Sequence, residues 1–230
     1  MLERAKDVIS DVAEWTDEIV LFHSLSGKDS IALLDLCYPR FKRIVCVFMY
    51  VVKDLEHIMA YYRWAKAKYP NIEFVQVPHY GLYSYIKEGA WGHVQNPKQR
   101  LWTLSDICDK VRSKTGIEWA CFGFKQSDSL NRRLMLRSYV KKDEDDERYD
   151  KEAINYESHK FYPLSTYKNK DILDYIHYRN LKTPESYGNE YQSAGQDISD
   201  EAYLRYLKLN YPSDLEKVLA EFPMLRIKVN

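Results

Sequence analysis

The stretch EIVLFHSLSGKDSIALL, residues 18–34, decides the fold. Its first part, EIVLFH, is a short apolar run rich in branched residues, the pattern of a strand buried on both faces of a parallel sheet. Ser24 to Lys28 is a polar turn containing Gly27, and DSIALLDLC, residues 29–37, reads as a helix. A strand that turns tightly into a helix aims successive backbone N–H groups outward at the positive end of the helix dipole. Ser24, Ser26 and Ser30 line this turn; Ser26 and Ser30 add hydroxyl donors, Lys28 adds a cation, and Gly27 lets the backbone come close to an anion. Asp29 would repel phosphate unless a divalent metal lay between them, so the turn implies Mg²⁺ at Asp29. The kinase and GTPase loop G-x-x-x-x-G-K-[ST] is not met, because Phe22 stands at its first Gly and Asp29 follows the Lys.

The alternation continues along the chain. RIVCVFM (43–49) reads as a second strand, Asp54 as the cap of a helix over 55–69, and IEFVQV (72–77) as a third strand. An irregular stretch follows, with Pro78, Gly81, Gly89, Gly92 and Pro97. A helix near 103–115 leads into EWACFGF (118–124), a fourth strand, and residues 129–139 look helical. A strand-like piece in FYPLSTY precedes a helix near 169–180, and the tail from about Ser199 is helical, broken at Pro212 and Pro223. This order predicts an α/β fold, a doubly wound and mostly parallel sheet flanked by helices, with ligands off the carboxyl ends of the strands. One domain over 1–195 and a helical C-terminal extension over 196–230, packed on it, are expected.

At 230 residues and 45% hydrophobic, the chain is long enough for a substantial core. Its 34 Lys+Arg balance its 34 Asp+Glu, which argues against a protein whose whole surface grips nucleic acid or anionic lipid. A local patch is still open: from Lys98 to Lys142 eleven Lys and Arg stand against four acids, which suits a polyanionic ligand. KKDEDDERYDKE, residues 141–152, reads as a solvated, mobile loop. Cys37, Cys46, Cys108 and Cys121 show no C-x-x-C spacing, so neither zinc nor an iron–sulfur cluster is expected. No stretch nears 18 apolar residues, which gives a cytoplasmic protein with no membrane partner. The 20 tyrosines are read as packing residues, one or two of them available to stack on a nucleobase.

SGKDS (26–30) resembles the SGGKDS loop of the PP-loop ATP pyrophosphatases, in the branch of the phosphoadenosine phosphosulfate (PAPS) reductases. GFKQSDSLNRR (123–133) is similar to that family's strand-end Gly and Arg-rich element, with Lys125 at its first Arg and Asp128, Ser129, Arg132 and Arg133 matching its later part. YPLSTYKNKDILDYI (162–176) resembles a third family segment, with Tyr167 for its Trp. The resemblance implies an adenine nucleotide whose phosphates sit in the loop. Lys28, Asp29, Arg132 and Arg133 would be catalytic. Ser24, Ser26, Gly27, Lys28, Ser30, Gly123, Lys125 and Ser129 would bind the nucleotide, with the backbone at Met49 against the adenine edge.

It further implies ATP with Mg²⁺, cleaved between the α- and β-phosphates to adenylate an unidentified acceptor, a small molecule or a nucleic acid. Binding of PAPS or adenosine 3′,5′-bisphosphate is the alternative, and a catalytically silent nucleotide-binding protein is a third. A homodimer is left open. Two departures stand out: the loop has one glycine where the family has two, and no Cys follows Cys121, where the reductases carry a redox Cys. A genuine PAPS reductase is therefore not expected.

Overall fold

The computed structural model describes residues 1–24, 27–139, 153–182 and 197–229. Ser26, the charged run 141–152 and the 195/196 boundary lie outside the described residues. The chain opens with α1 (Glu3–Ala13), then β1 (Glu18–Phe22), α2 (Lys28–Cys37), β2 (Arg43–Tyr50), α3 (Glu56–Lys68) and β3 (Ile72–Pro78). After α4 (Tyr80–Glu88) come α5 (Leu104–Thr115), β4 (Ala120–Phe122), α6 (Leu130–Arg137), and the short strands β5 (Ile154–Asn155) and β6 (Lys160–Phe161). The remaining described helices are α7 (Asn169–Tyr178), α8 (Glu201–Asn210) and α9 (Pro212–Glu221).

The six strands form one sheet in the order β3-β2-β1-β4-β6-β5. All described pairings are parallel except β5 with β6, so the expected doubly wound sheet is present. The order reverses at β1, which pairs with β2 on one side and β4 on the other. That reversal opens a crevice beyond the carboxyl ends of β1 and β4, where the two following connections part to opposite faces. β1 is apolar on both sides because both are covered. Ile19 and Leu21 join the larger core, with α1, α2, α3, α7, α8 and α9; Val20 and Phe22 join the smaller one, under α5 and α6.

Two expectations change. The stretch after Pro78 is irregular only in its later part, over 93–103: α4 forms first, because the His79 ring accepts the Gly81 N–H at 3.0 Å as an N-cap. The helix ends at Gly89, whose φ of +67° only glycine adopts without strain. Asp54 does not cap α3 either. The cap position is Leu55, with no side-chain bond of its own, and the free N–H groups of Glu56 and His57 donate instead to Asp214, at 2.7 and 3.0 Å.

Candidate functional site

α2 begins at the crevice. Gly27 takes the N-cap position with extended backbone, its carbonyl accepting from the Ile31 N–H at 3.0 Å and its own N–H donating to the Ser24 carbonyl at 3.0 Å. Ser30 turns its hydroxyl back over the turn, where it accepts the Ser24 N–H at 2.8 Å and lies 3.1 Å from the Ser24 hydroxyl. The two serines thus brace the entrance to the helix. Gly123, just past β4, faces the same turn: a Cβ there would lie 3.3 Å from the Asp29 Cβ. Its missing side chain lets the end of β4 press against the first turn of α2.

Four charged side chains meet at this contact. Lys28 Nζ lies 3.2 Å and Lys125 Nζ 2.8 Å from the same oxygen, Oδ2 of Asp29. Lys125 is 1% exposed, and its ammonium also reaches Asp128 Oδ1 at 3.0 Å. The Asp128 side chain closes a local loop by accepting the Lys125 N–H at 2.8 Å. The second oxygen of Asp29, Oδ1, is buried and finds no partner among the described residues. Two ammonium groups sharing one carboxylate oxygen, at the positive end of a helix, form an anion-holding arrangement.

Ser129 caps α6, accepting the Arg132 N–H at 3.2 Å. Arg132 lies flat on Phe124, its guanidinium carbon 3.3 Å from the ring centre, and burial pulls its pKa down. Beneath it runs an aromatic stack from Phe22 through Phe122 to Tyr162 and Tyr139, with ring centres 4.6, 5.8 and 5.7 Å apart. Sequence reasoning missed this stack; its signal was the apolar alternation of Phe22, Phe122 and Phe124 toward one face. Arg133 is exposed and stands apart from the lysine pair. Met49, one residue before the end of β2, is half-buried on the face covered by α5 and α6.

His23 adjoins the turn but points the other way. It is 2% exposed, beside Tyr61 and Phe74, and neither ring nitrogen has a partner among the described residues. Burial takes its pKa to about 3, so the ring is neutral. All four cysteines are free and buried, and burial pushes the Cys46, Cys108 and Cys121 thiols up, away from the reactive thiolate. No helix among the described residues is long and apolar enough to cross a membrane.

The family described as phosphoadenosine phosphosulfate reductase domain matches residues 19–199. No curated protein matches the chain. Among solved structures, the U34-tRNA thiolase NcsA from Methanococcus maripaludis, with its 4Fe–4S cluster, is similar at a TM-score of 0.49 and 14% identity, over 98% of this chain and 78% of that one. The PAPS reductase from Candida auris, as its phosphate complex, gives 0.49 and 11%, over 83% and 90%. The NH3-dependent NAD synthetase from Campylobacter jejuni, in complex with nitrate, gives 0.46 and 13%, over 99% and 96%.

The cofactor expectation needs correction. The sequence reads as taking ATP or a 3′-phosphonucleotide with Mg²⁺, and neither an iron–sulfur cluster nor zinc. The thiolase among the similar structures carries such a cluster, so the exclusion of an iron–sulfur cluster is withdrawn, while the adenine-nucleotide expectation is untouched. Mg²⁺ at Asp29 is withdrawn as well. The carboxylate is already shared by two lysines, and among the described residues no group of three or more His, Cys, Asp or Glu could hold a metal ion.

Proposed function

The chain belongs to the phosphoadenosine phosphosulfate reductase domain family, and from that premise we propose that the crevice at β1 and β4 binds an adenine nucleotide by its phosphates and cleaves ATP between the α- and β-phosphates. One observation carries the reading: Lys28 and Lys125 converge on a single anionic oxygen at the start of α2. The Asp29 carboxylate occupies the place that a phosphate oxygen would take, and its rotation would hand both ammonium groups to the nucleotide.

The chemistry asked of these residues is positioning and charge neutralisation. An acceptor oxygen or nitrogen attacks the α-phosphorus, the bond from that phosphorus to the bridging oxygen breaks, and pyrophosphate leaves with the bonding electrons. Lys28 and Lys125 offset charge that gathers on the leaving group, in a site where burial strengthens each interaction. Arg132, set on Phe124 near Asp128, is placed to meet the α-phosphate.

A second reading, favoured by the family match, is binding of a 3′-phosphonucleotide such as PAPS. Attack on its sulfur needs a thiolate, and the four cysteines here are buried, so a partner would supply it.

Thermal-shift titration tests both, since a ligand stabilises the fold according to its affinity. ATP is expected to raise Tm more than AMP or adenosine 3′,5′-bisphosphate, and Lys28→Ala to remove most of that rise. A larger response to the bisphosphate gives the second reading, and equal responses in Lys28→Ala and wild type overturn the site.

A further inference from the structure

The two helices that cover the smaller core are also the basic ones. α5 and α6 together hold six Lys and Arg against two Asp. On the opposite face α1, α2, α3, α7, α8 and α9 hold ten against twelve acids, and α4, whose Leu82 joins the same core, adds one of each. The chain as a whole is neutral, so folding has sorted its charge between the two faces of the sheet.

Several cations of this region are committed internally. Lys125 is locked between Asp29 and Asp128, and Arg112 donates to the Ser158 carbonyl at 3.1 Å with Asp109 3.7 Å away. The acids are committed too: Asp106 accepts from the Thr103 N–H at 2.7 Å, and Asp128 is bonded to Lys125. What is left outside is positive. Lys110, Lys114, Arg133 and Arg137 are exposed, and among the described residues no carboxylate lies within ion-pair distance of any of them. Arg137 donates to a neutral partner, the Gln126 amide oxygen, at 3.3 Å.

Flat and apolar surface is interleaved with these cations. Trp102 stacks on Tyr83, ring centres 5.9 Å apart and planes 24° apart, and the Arg100 guanidinium lies over the indole at 4.9 Å. Arg100 is itself largely in water, its side chain 69% exposed and its guanidinium 3.2 Å from Asp106 Oδ1, so lifting away to leave the indole face to another planar group would break only a solvent-exposed ion pair. On α6, Leu130 and Leu134 stand one turn apart, 66% and 61% exposed, beside Arg133 and Arg137.

We propose that the outer surface of α5 and α6, with the Arg100–Trp102 ledge, binds a single-stranded polynucleotide. Phosphates would run along the unpaired Lys and Arg side chains, and bases turned toward the protein would stack on Trp102 and lie against the two leucines. A duplex would use the cations but leave the ledge and the leucines without partners, because its bases are already stacked on each other. This surface lies outside the lysine pair at α2, and the proposal does not depend on the reading of that pair.

Fluorescence anisotropy with labelled oligouridylate and oligothymidylate, each of about 20 nucleotides, and with a duplex of similar length, tests it. Both single strands are expected to bind more tightly than the duplex, with affinity falling steeply as salt is raised. Arg133→Glu combined with Arg137→Glu is expected to weaken binding at least tenfold and to flatten the salt dependence. Trp102→Ala is expected to weaken it several-fold at an unchanged salt slope, with Trp102→Tyr restoring most of the loss. Lys28→Ala should leave binding intact, which separates this surface from the nucleotide crevice. A stronger response to oligouridylate assigns the natural strand to RNA, and the reverse to DNA. No binding at low salt, no effect of the double charge reversal, or tighter binding of polyglutamate than of either strand would overturn the proposal; the last would assign the face to an acidic protein.

Discussion

At the end of β1 the His23 ring is enclosed by Tyr61 and Phe74, and among the described residues neither its nitrogens nor the Tyr61 hydroxyl has a hydrogen-bond partner. Polar atoms in such surroundings cost stability. They also make stability depend on pH. The ordinary imidazole value is 6.5, and burial lowers it to about 3 in the fold. Between those values the unfolded chain binds a proton that the folded chain rejects. Stability therefore falls by roughly 1 kcal/mol for each unit of pH through that window. His23→Phe fills the same space without nitrogens. It is expected to stabilise the protein by about 1 kcal/mol at pH 7 and to flatten the loss between pH 6.5 and 4. Urea unfolding across that range is the measurement, and parallel curves for the two proteins would contradict it.

At the scale of elements, the informative contact is between α3 and α9. Asp214 is fully buried at the first turn of α9, yet its carboxylate works at the start of α3. It accepts the Glu56 and His57 N–H groups and meets His57 Nδ1 at 2.8 Å. Tyr203 of α8 approaches the other ring nitrogen at 3.4 Å. One side chain thus caps a helix more than 150 positions upstream and fastens the C-terminal helices to it. Burial pushes the Asp214 carboxyl up, but these donors outweigh it and hold its pKa below the usual carboxylate value. Asp214→Ala removes the cap and leaves His57 buried without its partner, at a cost of about 3 kcal/mol. Calorimetry should show this as a clear fall in Tm. A change within about 0.5 kcal/mol, the ordinary span of surface substitutions, would mean that the cap is dispensable.

For the whole molecule, Asp35 of α2 ties together elements distant in the chain. It is 4% exposed and accepts from the Tyr69 hydroxyl at 2.8 Å, the Tyr175 hydroxyl at 2.7 Å and Arg179 Nε at 2.8 Å. Burial raises its pKa, but the Arg179 guanidinium and the two hydroxyls outweigh that and keep it below 3.8. A carboxylate depressed in this way contributes stability above its unfolded value and loses it as pH falls through its folded value. Asp35→Asn is expected to cost about 2 kcal/mol at pH 7, modest because Arg179 is half in water. The difference from wild type should close as pH falls through the lowered folded value of Asp35. A difference that persists in acid would show that shape, not charge, is what Asp35 supplies.

The sheet and its crevice were legible because local chemistry states them. Branched apolar runs alternating with helical segments leave few arrangements, and a polar turn entering a helix after a strand is what points to an anion site there. The helix near 103–115 was equally local, and in the structure the Thr103–Asp106 capping box starts it. What only the tertiary structure decided depends on residues far apart in the chain. Lys28 and Lys125 share Asp29 because β1 and β4 are neighbours in the sheet. α3 takes its cap from Asp214 because α9 folds back onto it. The charge of a neutral chain separates onto one face because α5 and α6 cover the same side. Periodicity and turn chemistry act over a few residues and can be read in order along the chain. Ion pairing, capping at a distance and surface potential depend on spatial neighbours, which sequence order does not specify.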